Sequence, residues 1–144
     1  MKKTSVLILC TGNSCRSQMA EGVLKHYGAG RFDVESAGSA SSSVNPTAVR
    51  VMREIGIDIS GHRSKHVNEF ADRRFDHVVT VCDNAKESCP VFPGHSIRLH
   101  WAFPDPPHDQ EITEEVLNDF RQVRDAIHAR FKSAAERGFP AADG

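Results

Sequence analysis

A chain of 144 residues with 39% apolar side chains suits one globular domain, long enough to bury most of its unfolded surface without staples. Its formal net charge of −1, with both signs interspersed, argues against a nucleic-acid face and against a polybasic lipid anchor. No apolar stretch approaches a membrane span, and Met1-Lys2-Lys3 precedes too short an apolar run for a signal peptide; a cytoplasmic protein is expected, with its four cysteines at rest as thiols.

Residues 4 to 10, TSVLILC, are apolar and β-branched without alternation, the pattern of a strand covered on both faces. From Ser17, Met19, Ala20, Val23, Leu24 and Tyr27 recur at helical spacing until Gly28 and Gly30 stop them. Phe32 to Ser36 predicts a second short strand. Asn45-Pro46 reads as the N-cap and first turn of a helix carrying Ala48, Val49, Met52 and Ile55 before Gly56. His62 and His66 fall in a loop-like stretch with no evident partner set and are read as solvated. Phe75 to Cys82 is a third, buried strand, and Ser96 to His100 a fourth. A long helix runs from Glu114 to about Ala135, with Val116, Phe120, Val123, Ile127 and Phe131 on one stripe. The small, polar tail 138–144 is expected to fray, which leaves 1–137 as a single catalytic domain. Strands alternating with helices predict an α/β fold with a parallel sheet and helices on both faces. In such sheets ligands bind beyond the carboxyl ends of the strands, where Cys10 and Cys82 both fall.

The junction of the first strand and helix is the most informative segment. Cys10-Thr11-Gly12-Asn13-Ser14-Cys15-Arg16-Ser17 places a cysteine at a strand end, a tight loop of small residues, and an arginine at the mouth of a helix. Backbone N–H groups and the helix N-terminus supply fixed positive potential, and the Arg16 guanidinium offers a fork for two oxygens, which together suit a tetrahedral oxyanion. The same potential favours a thiolate at Cys10, so a strong nucleophile lies where the anion docks.

Cys82 ends the third strand, and Cys89 follows across a polar segment just before Pro90. From the residues alone two readings stand: a relay in which Cys82 resolves Cys10 and Cys89 resolves Cys82, or a core thiol with an incidental loop thiol. The spacing fits no zinc ribbon or finger. Pro104-Asp105-Pro106-Pro107 holds an aspartate in an extended stretch beyond the fourth strand, either as a general acid or as an ordinary turn residue.

These residues together resemble the low-molecular-weight tyrosine phosphatase superfamily and, within it, the thioredoxin-coupled arsenate reductases. The likeness rests on CTGNSCRSQMAEG at 10–22, SAG at 36–38, NP at 45–46, IDIS at 57–60, VVTVC at 78–82, CP at 89–90, HW at 100–101 and FRQVRD at 120–125, nearly the whole chain. The resemblance implies a four-stranded parallel sheet flanked by helices. It implies Cys10 as nucleophile, Thr11, Gly12, Asn13, Ser14, Cys15 and Arg16 as the oxyanion loop, Ser17 as a hydrogen-bond donor to the Cys10 thiolate, and Asp105 as general acid. It further implies arsenate as substrate, Cys82 and Cys89 as successive resolving thiols, thioredoxin as the reductant of the final disulfide, and chemistry performed with no metal or organic cofactor. Cys15 has no assigned step.

Phosphatases of this fold usually carry proline where this chain has Gln18, and an aromatic after the Asp-Pro where it has Pro107 followed by His108. Hydrolysis also leaves a nucleophile's oxidation state unchanged and needs no dithiol. A phosphatase for phosphotyrosine or aryl phosphates is the alternative, some such turnover is expected in either case, and a redox or oxyanion sensor is the reading from another class. Family members that hold potassium use oxygens matching Asn13, Glu21 and Ser36 with an acidic residue near position 65. This chain has Lys65, whose ammonium would stand in the cation's place. Glutaredoxin or a small thiol is an alternative reductant, and a monomer is the expected state.

Overall fold

The run Val6, Leu7, Ile8, Leu9 is shielded from solvent along its whole length, as its unbroken apolar pattern requires of a central strand. This strand, β1 (Thr4–Cys10), lies between β2 (Phe32–Gly38) and β3 (His77–Thr80), with β4 (Ile97–His100) beyond β3, in the order β2-β1-β3-β4 with every pair parallel. The computed structural model describes residues 3–40, 42–82, 95–107 and 111–140. The expected α/β fold, a four-stranded parallel sheet with flanking helices, is the one observed.

Among the described residues, three α-helices flank the sheet. In α1 (Arg16–Tyr27) the residues Met19, Ala20, Val23 and Leu24 are fully buried. In α2 (Pro46–Glu54) the Asn45 side chain accepts hydrogen bonds from the N–H groups of Thr47 (2.8 Å) and Ala48 (3.3 Å), which satisfies donors that a helix start leaves open. Thr113 caps α3 (Glu114–Arg137) in the same way, accepting from Val116 N at 3.1 Å. Arg121 and Arg124 then tie α3 to α2: Arg121 donates to Glu54 Oε2 at 2.7 Å, and Arg124 Nη1 donates to Glu54 Oε1 at 2.7 Å and to Val51 O at 2.9 Å. The core spans both layers through Phe75, Phe120 and Phe131, all wholly buried. Truncating any one to alanine costs about 3–5 kcal/mol.

Three departures from expectation have local causes. The third strand is shorter than Phe75 to Cys82, because its ladder partner β1 ends at Cys10 and turns into the loop. Val81 N still donates to Leu9 O at 2.9 Å, so the chain stays alongside. The second strand runs on to Gly38, which pairs with Cys10. A 3₁₀ turn at Val67–Phe70, absent from the sequence reading, buries Val67 and Phe70, with Phe70 edge-on to Phe75. In the tail, Phe139 stacks on Trp101 with ring centroids 5.5 Å apart. Among the described residues no helix is long and apolar enough to cross a membrane.

Candidate active site

Parallel pairing sets the carboxyl ends of β1 and β3 side by side, and the loop from Thr11 to Cys15 rises from the first of them into α1. Its carbonyls are held from outside. Thr11 O accepts from Ala40 N (2.9 Å), Gly12 O from the hydroxyls of Ser64 (3.2 Å) and Ser42 (3.4 Å), Asn13 O from Gln18 Nε2 (3.2 Å), and Ser14 O from Asn45 N (3.1 Å). With the oxygens tied outward, the N–H groups of Thr11 to Cys15 have no acceptor among the described residues. Open N–H donors at a helix start suit an anion. Asn13 sits at φ 47°, a left-handed conformation that asparagine tolerates better than most residues.

The loop closes this tightly because position 38 is glycine. A Cβ there would lie 2.3 Å from Thr11 O, 2.7 Å from Cys10 O and 2.9 Å from Asn13 N. All three are backbone atoms, so no side chain can turn aside. Gly38 is also anchored by its own N–H, which donates to Lys65 O at 2.9 Å.

The proton directions around Cys10 follow from one fixed amide. Asn13 Oδ1 accepts from Lys65 N (2.8 Å) and Gln18 Nε2 (2.9 Å), so its Nδ2 must face Ser17 Oγ (2.7 Å) and Ser36 Oγ (2.9 Å). Ser17 Oγ therefore accepts from Asn13 Nδ2 and lies 2.9 Å from Cys10 Sγ, within hydrogen-bond reach of the sulfur. Ser36, receiving from the other Asn13 proton, donates to Glu21 Oε1. Cys10, Ser17, Asn13 and Ser36 are all buried.

Arg16 donates from Nη1 to Phe103 O at 3.0 Å, and its Nη2 is 3.5 Å from Asp105 Oδ1. The extended stretch after β4 thus crosses the loop's mouth and brings Asp105, half exposed, beside the guanidinium. Cys82 Sγ lies 3.4 Å from Thr11 Oγ1, placing the second thiol at the rim of the same loop. Cys15 is a different kind of thiol. Burial pushes it up to about 12, and the Ser14 hydroxyl offsets this only in part, so it stays neutral. Cys89 and His108 lie outside the described residues.

Behind the loop the structure corrects the reading of His62 as solvated. Its Nδ1 is 3.0 Å from Gln18 Oε1 and 3.7 Å from Glu21 Oε2. Gln18 Nε2 is occupied with carbonyl oxygens, including Arg63 O at 3.1 Å, so its Oε1 must accept and His62 must donate from Nδ1. Burial holds the imidazole below its ordinary range, against the pull of Glu21. His66 also has a structural role, its ring accepting from Asn68 N at 3.0 Å to cap the 3₁₀ turn. Nothing in the local pattern marked Gln18 and His62 as partners 44 positions apart.

The carboxylate of Glu21 is almost wholly buried. Burial pushes it up, but hydrogen bonds from Lys25 (2.6 Å) and Ser36, with the charges of Lys65 and His62, outweigh this and hold it below the usual carboxylate range. Lys65 Nζ is 3.4 Å from Glu21 Oε1 and 3.3 Å from Glu35 Oε1. The oxygens of Asn13, Glu21 and Ser36 are thus committed to protein donors, and the ammonium fills the space between the carboxylates. The set does not fit a potassium ion.

Residues 5–137 match the model for low molecular weight phosphotyrosine protein phosphatases. The chain belongs to that family. Among its relatives is an arsenate reductase of Halalkalibacterium halodurans, 47% identical over 138 residues that span 96% of this chain and 99% of the relative. The solved structure of an arsenate reductase in its oxidised state superposes with a TM-score of 0.79 at 35% identity, covering 94% of this chain and 99% of that one. A thioredoxin-dependent arsenate reductase of Corynebacterium glutamicum superposes with a TM-score of 0.65 at 28% identity, over 91% of this chain and 61% of that one.

Proposed function

We propose that this protein reduces arsenate to arsenite through Cys10, Cys82 and Cys89, and that thioredoxin reduces the disulfide that results. The observation that carries the reading is the pair of thiols at one loop: Cys10 with Ser17 Oγ 2.9 Å from its sulfur, and Cys82 3.4 Å from Thr11 Oγ1 at the rim. The full-length similarity to arsenate reductases supports it.

Arsenate docks on the N–H groups of the loop and on Arg16. Cys10 thiolate attacks arsenic, a sulfur–arsenic bond forms, and one oxygen leaves as water once Asp105 supplies a proton. Cys82 thiolate then attacks Cys10 sulfur. The sulfur–arsenic bonding pair stays on arsenic, which falls from the +5 to the +3 state, while two thiols become the Cys10–Cys82 disulfide. Cys89 attacks Cys82 and returns Cys10 as a thiolate. The Cys82–Cys89 disulfide is passed to thioredoxin, whose Corynebacterium counterpart serves a related reductase.

A side activity follows from the same atoms. Cys10, Arg16 and Asp105 form the complete set for making and hydrolysing a thiophosphate, so slow cleavage of aryl phosphates is expected beside arsenate reduction. The discriminating experiment follows NADPH oxidation with thioredoxin, thioredoxin reductase and arsenate, alongside p-nitrophenyl phosphate hydrolysis, in wild type and Cys89→Ser. Arsenate turnover that disappears in the variant while ester cleavage survives supports the relay. Brisk ester cleavage with no arsenate turnover in wild type assigns the protein to the phosphatases.

A further inference from the structure

Three charges share the space behind the oxyanion loop. Lys65, with only 7% of its surface exposed, lies between Glu21, 1% exposed, and Glu35 of β2, which also meets Arg73 Nη1 at 3.7 Å. A buried ammonium between two carboxylates costs desolvation energy that a surface pair avoids, and such a group is commonly held in place by what it positions.

What Lys65 touches leads to the sulfur. Its ammonium faces Glu21 Oε1, the same oxygen that accepts from Ser36 Oγ. Ser36 accepts from Asn13 Nδ2, whose other proton goes to Ser17, whose hydroxyl oxygen lies 2.9 Å from Cys10 Sγ. The backbone N–H of Lys65 donates to Asn13 Oδ1, so one residue holds this chain of hydrogen bonds at Glu21 and again at Asn13. The remaining cation on Glu21, Lys25, binds the other oxygen from the surface.

We propose that the Lys65 ammonium is a built-in monovalent cation, a positioning residue that keeps Glu21, Ser36, Asn13 and Ser17 in the order that directs a proton at Cys10. The proposal rests on Cys10 as the nucleophile and on nothing later in the reaction. Without the ammonium, the buried Glu21 Oε1 loses its only cationic partner among the described residues, the Lys25 ammonium lying on Oε2. The Ser36 hydroxyl is then free to turn, and the pull that reaches Cys10 through Asn13 weakens. The space left by a truncated lysine, lined by two carboxylates, would admit a small monovalent cation as a substitute.

The test measures the rate of Cys10 alkylation by iodoacetamide across pH, read at that residue by peptide mass spectrometry, in wild type, Lys65→Ala and Ser36→Ala. In Lys65→Ala the profile moves to higher pH by about one unit, up to roughly tenfold less thiolate at neutral pH. Ammonium or potassium chloride moves it back, tetramethylammonium chloride does not, and wild type ignores all three. Ser36→Ala, which keeps the charges and cuts the link, moves the profile in the same direction with no cation response. An unchanged profile in either variant, or reversal by tetramethylammonium as readily as by potassium, overturns the proposal. If Lys65→Ala does not fold, Ser36→Ala decides. A wild-type Cys10 no more reactive than the neutral Cys15 would instead defeat the assignment of Cys10 as nucleophile, leaving the two failures distinguishable.

Discussion

Replacing Gly38 by alanine tests whether the loop's shape, and not only its residues, creates the site. The added Cβ would stand 2.3 Å from Thr11 O, 2.7 Å from Cys10 O and 2.9 Å from Asn13 N. Relief requires a carbon–oxygen separation above about 3.2 Å, so the backbone of Cys10 to Asn13 must retreat by roughly 1 Å. A displacement of about 1 Å between a nucleophile and its target costs on the order of 100-fold in rate. Overpacking at such a position costs about 1–3 kcal/mol of stability. Gly38→Ala is therefore expected to stay folded, with p-nitrophenyl phosphate hydrolysis and arsenate turnover both reduced by roughly two orders of magnitude. Gly56→Ala is the control: its φ of 79° strains any Cβ, yet nothing lies within 4 Å of the added atom, so it should lose stability and keep its rates. Gly38→Ala with rates within threefold of wild type, about 0.65 kcal/mol, would refute the claim that the loop needs this close approach.

Two predictions concern pH and stability. A hydrogen bond from Arg121 above all, with one from Arg124 and the charges of both arginines, holds the Glu54 carboxyl down to about 2 against the opposing effect of burial. The stabilisation is complete above 4.5, the ordinary value, and is lost as pH falls toward 2; urea midpoints should drop over this window in wild type and drop less in Glu54→Gln. His77 runs the same way for a different reason: burial holds its imidazole below the ordinary 6.5, against Asp76, and its Nδ1 is buried without a hydrogen-bond partner among the described residues. The unfolded chain takes up the proton first, so stability is full above 6.5 and falls as pH drops below it; His77→Phe, set against Phe139, should flatten that part of the profile.

Much of the architecture is legible in local pattern. The unbroken VLIL run announces a doubly covered strand, Asn45-Pro46 announces a helix start, and small residues between Cys10 and Arg16 announce a loop that meets a helix, because each is governed by neighbours in sequence. The candidate loop residues could be named for the same reason, and the structure sets Cys10, Arg16, Ser17, Cys82 and Asp105 around one loop. What stayed hidden depends on distant partners. His62 looks like a loop histidine until Gln18 is found beneath it, and Lys65 until the parallel pairing of β1 with β2 brings Glu35 and Ser36 beside α1. Gly38 shows no turn signal, since its requirement comes from the backbone of Cys10, Thr11 and Asn13, distant in the sequence.

The most direct test of the account is a single turnover without reductant: reduced enzyme is mixed with excess arsenate, arsenite is counted, and the disulfides are mapped by mass spectrometry in wild type and Cys89→Ser. The account predicts one arsenite per enzyme, with a Cys82–Cys89 disulfide in wild type and a Cys10–Cys82 disulfide trapped in the variant. Arsenite formed with Cys82 still reduced, or no arsenite from an enzyme that cleaves aryl phosphates, would contradict it.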